Sequence, residues 1–223
     1  MNTIVVALRA TLVTLVLTGL LYPLAVTGVA QLVFPDRANG SIVVDDKGSE
    51  VGSELLGQAF ASPAYVRPRP SNGGYDASNS GGTNLGTTSK KLRDGVADDP
   101  ATKNVDETFV GVKDLAAAFR ADNGLAPGAE VPADAVTRSA SGLDPHVSPD
   151  TAMLQAARIA RVRSVTVERV QAVIAGYTEG RELGLLGEPR VNVLAVNLAL
   201  DRQFGRPAAR AAHAGVAGAT MQP

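Results

Sequence analysis

Three groups of residues have the types and spacing that chemistry needs. The first is Ser80-Gly81-Gly82-Thr83-Asn84, which runs on through Leu85 and Gly86 towards Lys90. A Gly-rich turn ahead of a helix can cradle phosphate on backbone N–H groups. A P-loop also needs Lys directly after its last Gly, to reach the phosphates, and then Ser or Thr for magnesium. Here Thr87 and Thr88 follow Gly86, and Lys90 stands too far along. Ser80, Gly81, Gly82, Thr83 and Asn84 are therefore a candidate nucleotide or partner loop without its lysine. The competing reading is a close-turn surface loop.

The second group is Ser139, Ser141, Asp144 and His146. Hydroxyl, carboxylate and imidazole together invite a membrane-anchored hydrolase in which Ser141 attacks and His146 takes its proton. The order and spacing match no nucleophile elbow, because no G-x-S-x-G occurs. A histidine between Pro145 and Ser148 also suits a hydrogen bond to loop backbone. The second histidine, His213, stands far away, and the chain has no cysteine. That composition argues against a metal site and against a disulfide scaffold.

The third group lies within 178–190, where Arg181, Glu188 and Arg190 are able to bind an anion or to pair with one another. Its structural alternative is a helix end and a tight turn that position the last strand. Two further arginines, Arg67 and Arg69, alternate with Pro68 and Pro70. Proline fixes its own φ and pushes the preceding residue out of the helical region, so these arginines ride on a stiff extended ribbon. Arg67, Arg69, Asp144, His146, Glu188 and Arg190 are the candidate partner contacts.

What positions these groups starts at the N-terminus. Ile4 to Phe34 carries one formal charge, Arg9. About 20 helical residues cross a hydrocarbon core roughly 30 Å thick, and this run exceeds that. It is about twice the apolar length of a secretory signal and shows no clear small-x-small cleavage site. The expectation is an uncleaved membrane helix over residues 1–36. Pro23 removes the hydrogen bond to Gly19 and predicts a kink. Thr18 and Thr27 are placed to satisfy freed backbone groups. Gly19 and Gly28 offer flat patches to a neighbouring helix.

Residues 37–204 read as one soluble α+β domain. Ile42-Val43-Val44 and Ser49 to Val51 form a hairpin around Asp45-Asp46-Lys47-Gly48. Residues 72–86 and 139–149 are polar loops. Phe109 to Arg120 is a helical stripe ended by Asn123-Gly124. Val131 to Val136 is a strand or turn. Ser148-Pro149-Asp150 starts a helix that runs to Val162, and Ser164 or Thr166 starts another that reaches Tyr177. Val191 to Val193 is a strand. The periodicity of Leu194 to Arg202 fits strand or helix. Residues 94–107 read as irregular and 205–223 as a disordered tail. With a net charge of −1, nothing points to a nucleic-acid partner.

Several blocks then occur in one order: Thr18-Gly-Leu-Leu-Tyr-Pro23, Arg67-Pro-Arg-Pro-Ser71, Ser80 to Gly86, Ser141-Gly-Leu-Asp-Pro-His-Val-Ser-Pro149, Gly184 to Leu194, and Asn197-Leu-Ala-Leu-Asp201. Together they resemble the C subunit of the Kdp potassium-transporting ATPase. The departures are residues 94–107 and the tail after Gly205. The resemblance implies a non-catalytic subunit of a membrane complex with three partners: a potassium-selecting channel-like subunit, a P-type ATPase subunit and a small single-helix subunit. It implies one helix in the inner membrane, a cytoplasmic N-terminus and a domain on the outer face. It also implies a catalytic chaperone role in which ATP affinity of the pump subunit rises, with ATP entering through that subunit; the alternative is an anchored nucleotide-binding regulator of the same pump.

Overall fold

A computed structural model describes residues 2–97 and 108–207. The irregular segment expected at 94–107 and the tail expected at 205–223 lie mostly outside those residues. The described chain divides into two units between Ser53 and Glu54.

The first unit holds one continuous helix, Thr3–Val33, long and apolar enough to cross a membrane. Its parts are α1 (Thr3–Val16), a π-helical turn (Leu17–Leu21) and α2 (Tyr22–Val33). The π turn stands immediately before Tyr22-Pro23. A wider turn is one way a helix accommodates a residue that lacks an N–H and crowds the preceding turn. Tyr22 N–H reaches back to Leu17 O in that register. The Thr18 hydroxyl donates to Thr14 O at 2.8 Å. The proline is thus absorbed by a change of helical register.

After α2 comes α3 (Pro35–Ala38), where Asn39 Nδ2 donates to Pro35 O and the Gln31 and Asn39 amides exchange hydrogen bonds. The hairpin follows as β1 (Ile42–Val44) and β2 (Glu50–Ser53), antiparallel, with a bulge between Val43 and Val44. Its turn is an Asx turn: Asp45 Oδ1 accepts from Lys47 N–H and Ser49 N–H.

The second unit, from Glu54 on, combines helices with short strands in an α+β arrangement, while the hairpin of residues 42–53 falls in the first unit. Its elements in order are α4 (Lys90–Asp94), α5 (Val112–Asn123), α6 (Ala133–Val136), β3 (His146–Val147), α7 (Pro149–Leu154), α8 (Ala156–Arg163), α9 (Val167–Gly176), β4 (Thr178–Glu179), β5 (Arg190–Asn192) and α10 (Val193–Phe204). Three short antiparallel strands form a sheet in the order β3-β5-β4. His146 stands opposite Asn192, Val147 opposite Val191, and Thr178 also opposite Val191.

Two helix starts follow their side-chain caps. Ser148 Oγ accepts from Thr151 N–H, with Pro149 at the first helical position. Asn192 Oδ1 accepts from Ala195 N–H and starts α10. That cap decides the open reading of Leu194 to Arg202 in favour of helix. The helix expected from Ser148 to Val162 is interrupted at Gln155 and continues as α8 to Arg163. Val131 to Val136 ends in a single helical turn, α6, and the loop at 139–149 contains the short strand β3.

The core is a cluster of aliphatic side chains from α7, α8, α9, β5 and α10, including Ile159, Val170, Ile174, Val191, Val196 and Leu200. Val66 of the extended ribbon is fully buried in it. Burial of apolar surface on this scale is the main favourable term for a domain of this size.

Candidate functional site

The feature on which the domain is built is the ribbon from Pro63 to Pro70. Pro63 to Tyr65 make a turn and a bend, and Val66 to Pro70 then run on outside any helix or sheet. Closely spaced prolines rule out a regular ladder. Buried backbone groups nonetheless need partners, and here side chains supply them. Asn197 Oδ1 accepts from Val66 N–H at 2.8 Å, and Asn197 Nδ2 donates to Val66 O at 2.9 Å. Gln155 repeats the pattern one residue on: Oε1 accepts from Arg67 N–H at 2.9 Å and Nε2 donates to Arg67 O at 3.2 Å. Both residues are 1% exposed. Each carboxamide acts as a one-residue strand partner.

Two buried guanidinium groups complete the cradle. Arg158 donates to the carbonyls of Pro63 and Tyr65, to Asn123 Oδ1 at 3.0 Å and to Gln155 Oε1 at 2.6 Å. Desolvation, reinforced by nearby Arg67, draws its pKa down to about 10, so it remains a cation at neutral pH. Arg163 donates to Ala64 O at 2.8 Å and pairs with Asp201 at 2.7 Å. Tyr65 donates its hydroxyl to the other Asp201 oxygen at 2.9 Å. Burial and Asp201 push the Tyr65 pKa up to about 12.

Further along, the ribbon carries Arg67 and Arg69. Arg67 pairs with Asp122 at the end of α5. Arg69 Nη1 lies 2.9 Å from Asp144 Oδ2. Asp144 Oδ1 accepts from His146 N–H at 3.0 Å, and His146 Nδ1 stands 3.7 Å from it. Burial works to raise the Asp144 pKa, but hydrogen bonds from His146 and the Arg69 guanidinium outweigh it and hold the carboxyl at about 2. Arg69, Asp144 and His146 are therefore brought together as one charged cluster.

The two glycine loops meet beside it. Gly81 N–H donates to Ser141 O at 2.9 Å, and Ser80 Oγ lies 3.2 Å from the same oxygen. Ser71 Oγ donates to Gly142 O at 2.7 Å and accepts from Tyr75 N–H. A Cβ on Gly82 would lie 2.8 Å from Ala140 O. These glycines allow backbone to approach backbone. The Gly81 N–H, a natural donor to a phosphate, is spent inside the protein. The following helix, α4, is five residues long and is capped by Ser89. Thr83 and Asn84 sit in the same loop, with Asn84 at φ 54°.

Ser141 Oγ accepts from Leu143 N–H at 3.1 Å and lies 3.5 Å from Ser139 Oγ. Among the described residues no hydrogen bond joins Ser141 to His146. The imidazole belongs to β3, and its near neighbour is Asp144. Glu188 is placed elsewhere, on the exposed β4–β5 turn, and Arg190 is the half-buried first residue of β5. Glu188 pairs with Arg181 at 2.7 Å, and Arg190 lies 3.0 Å from Glu179. They do not join the Arg69 cluster.

An apolar groove of about 510 Å³ is lined by Phe60, Pro68, Pro70, Leu115 and Phe119, with Arg67 and Asp122. Thr151 and Tyr75 also line it, and the Thr151 hydroxyl donates to Asp134 Oδ1 at 2.8 Å as part of the cap of α7. The sequence reading did not single out Gln155, Arg158 or Arg163 as cradle residues. The available signal was a polar residue within an apolar stripe: Asn197 lies between Val193 and Leu200, and Gln155 between Ala152 and Ile159.

The match to known proteins covers helix and domain together. The family model described as "KdpC: K+-transporting ATPase, c chain" matches residues 4–202. The chain belongs to the KdpC family. A KdpC subunit of a potassium-transporting ATPase from Myxococcus xanthus is 53% identical over 92% of this chain and 90% of its own length. A second, from Caulobacter sp. (strain K31), is 51% identical over 85% of this chain and 88% of its own. A third, from Koribacter versatilis, is 45% identical over 93% and 98%. The stretch matched by the KdpC family model takes in the apolar N-terminal run, the ribbon and both glycine loops.

Proposed function

We propose that this chain is an accessory subunit of an ATP-driven potassium importer and performs no chemistry of its own. The observation that carries this reading is the family match over residues 4–202, which includes the long apolar helix and the α+β domain. In this reading residues 1–36 anchor the chain in the cell membrane with the N-terminus in the cytoplasm. Residues 37–204 lie outside and dock over the potassium entrance, where they rigidify the complex. The partners are the channel-like subunit, the P-type ATPase subunit and the small single-helix subunit.

The internal pairing of the candidate groups supports a docking role over a catalytic one. Ser141 is held by Leu143, His146 faces Asp144, and Gly81 N–H is occupied by Ser141 O. The same pairing weighs against direct nucleotide cradling at Ser80 to Asn84. A catalytic chaperone role would then work through the shape of the pump subunit, without ATP held by this chain.

Two measurements test the reading. Membranes carrying the partner subunits are assayed for potassium-stimulated ATP hydrolysis with and without this chain. Hydrolysis that depends on the chain and survives His146→Ala supports it. Full hydrolysis without the chain overturns it. Protease added to sealed cells should cleave the domain, and protection from outside would refute the orientation.

A further inference from the structure

Three Asn-Gly pairs occur in the chain: Asn39-Gly40, Asn72-Gly73 and Asn123-Gly124. Glycine after asparagine leaves the main-chain nitrogen uncrowded by a Cβ and able to approach the carboxamide carbon. The fold treats the three pairs differently. Asn123 is buried; its Oδ1 accepts from Arg158 Nε at 3.0 Å, and its Nδ2 donates to Phe119 O at 2.8 Å. Asn39 is exposed, but its Nδ2 donates to Pro35 O at 2.8 Å and its carboxamide exchanges hydrogen bonds with that of Gln31. At both sites a main-chain carbonyl also holds the glycine N–H: Arg37 O takes that of Gly40 at 3.1 Å, and Ala121 O takes that of Gly124 at 3.3 Å. Asn72 has neither restraint. It is exposed, and its Nδ2 reaches Gly82 O only at 3.5 Å. The Gly73 N–H donates to the Ser71 hydroxyl at 3.2 Å, a side-chain partner in place of a main-chain one.

We infer that Asn72 is a site of spontaneous covalent modification, at which the carboxamide is lost through a cyclic imide to give aspartate and isoaspartate. Solvent hydroxide takes the proton of the Gly73 N–H, and the nitrogen attacks Asn72 Cγ to close a five-membered ring. The bond from Cγ to Nδ2 breaks, and Nδ2 leaves as ammonia with a proton from water. A second water then opens the imide at either carbonyl. One opening restores the main chain as aspartate; the other routes it through the side chain as isoaspartate. The net change consumes one water and releases one ammonia. The position gives the reaction a structural consequence. Ser71 Oγ donates to Gly142 O at 2.7 Å and accepts from Gly73 N–H and Tyr75 N–H, so the residue beside Asn72 ties the first glycine loop to the second. Isoaspartate adds one carbon to the main chain between Ser71 and Gly73. Either product also replaces the Nδ2 donor near Gly82 O with a carboxylate oxygen, which carbonyl oxygen repels. Both changes loosen the joint between the two loops.

The full chain, purified in detergent, is held at mildly alkaline pH and followed by peptide mass spectrometry, with isoaspartyl methyltransferase reporting isoaspartate. The same chain unfolded in guanidinium chloride is the reference. There the three pairs lose their folded contacts and should convert at similar rates, because glycine follows each asparagine. In the folded chain Asn72 should convert at least about tenfold faster than Asn39 or Asn123, whose reaction waits on local opening. Asn72→Gln, whose longer side chain closes its ring far more slowly, should remove the isoaspartate signal from the peptide that contains position 72. The melting temperature of the parent should fall as conversion proceeds, while that of incubated Asn72→Gln holds steady. Equal rates at the three pairs in the folded chain overturn the inference. So does faster conversion at Asn39 or Asn123, or an Asn72 that reacts only after unfolding. Conversion at Asn72 with an unchanged melting temperature upholds the site and overturns the loosening of the loop joint.

Discussion

Asn197 hydrogen-bonds both the N–H and the C=O of Val66 with a single carboxamide. A helix side chain thereby does the work of a neighbouring strand, and the Pro-flanked ribbon enters the core without a sheet. Replacing Asn197 with Ala leaves two buried backbone groups without partners. Each unsatisfied group costs about 1–3 kcal/mol, so Asn197→Ala should lose about 2–6 kcal/mol of domain stability. Urea unfolding followed by circular dichroism reads the change. Gln155→Ala should act in the same direction, because Gln155 serves Arg67 and also receives Arg158.

The Arg69–Asp144–His146 cluster predicts acid sensitivity. The folded Asp144 carboxyl sits at about 2, below its ordinary value of 3.8. A depressed carboxylate pKa means that the folded state binds fewer protons than the unfolded state. Its contribution is complete above the unfolded pKa and is lost as pH falls towards 2. Domain stability should therefore decline between about pH 4 and pH 2. Asp144→Asn should flatten that part of the curve, measured as melting temperature against pH. A parent curve with no such slope would contradict the cluster.

Alkaline titration gives the opposite sign. Tyr65 and Tyr75 are both pushed up to about 12, Tyr75 by burial and Tyr65 by burial with Asp201 beside it. Raised tyrosine pKa values mean that their contribution to stability is intact below the unfolded value near 10. It is then lost as pH rises through about 12. Ultraviolet absorbance should show two tyrosines that ionise late, and Tyr75→Phe should remove one of them.

Gly82 tests whether the glycine loop is a phosphate cradle or a packing joint. Its Cβ would meet Ala140 O at 2.8 Å, a backbone atom with little room to move. Gly82→Ala should destabilise the domain by about 1–3 kcal/mol through this overpacking. Equilibrium dialysis of the parent chain with ATP should show no binding that the variant removes.

The sequence made some of this legible for physical reasons. Ser148-Pro149-Asp150 is a local signal, and the cap forms where it points. The apolar run needs only length to be read, and it gives one helix from Thr3 to Val33. The extended character of Arg67 to Pro70 follows from proline stereochemistry alone. The partners of that ribbon were illegible, because Asn197 lies 131 positions from Val66 and Gln155 lies 88 from Arg67. Pairing at such distance is a property of the folded core and leaves no local pattern. The meeting of Gly81 with Ser141 was hidden for the same reason, although each loop could be seen by itself. Pro23 was legible as a disturbance, but its outcome was a π turn.

The most direct measurement is mild-detergent purification of the full tagged chain from its native membranes, followed by assay of ATP hydrolysis with and without potassium. The account predicts that a P-type ATPase subunit co-purifies, that hydrolysis is stimulated by potassium, and that the chain purified alone hydrolyses nothing. A chain recovered free of any ATPase, or one that hydrolyses a substrate by itself through Ser141 and His146, would contradict it.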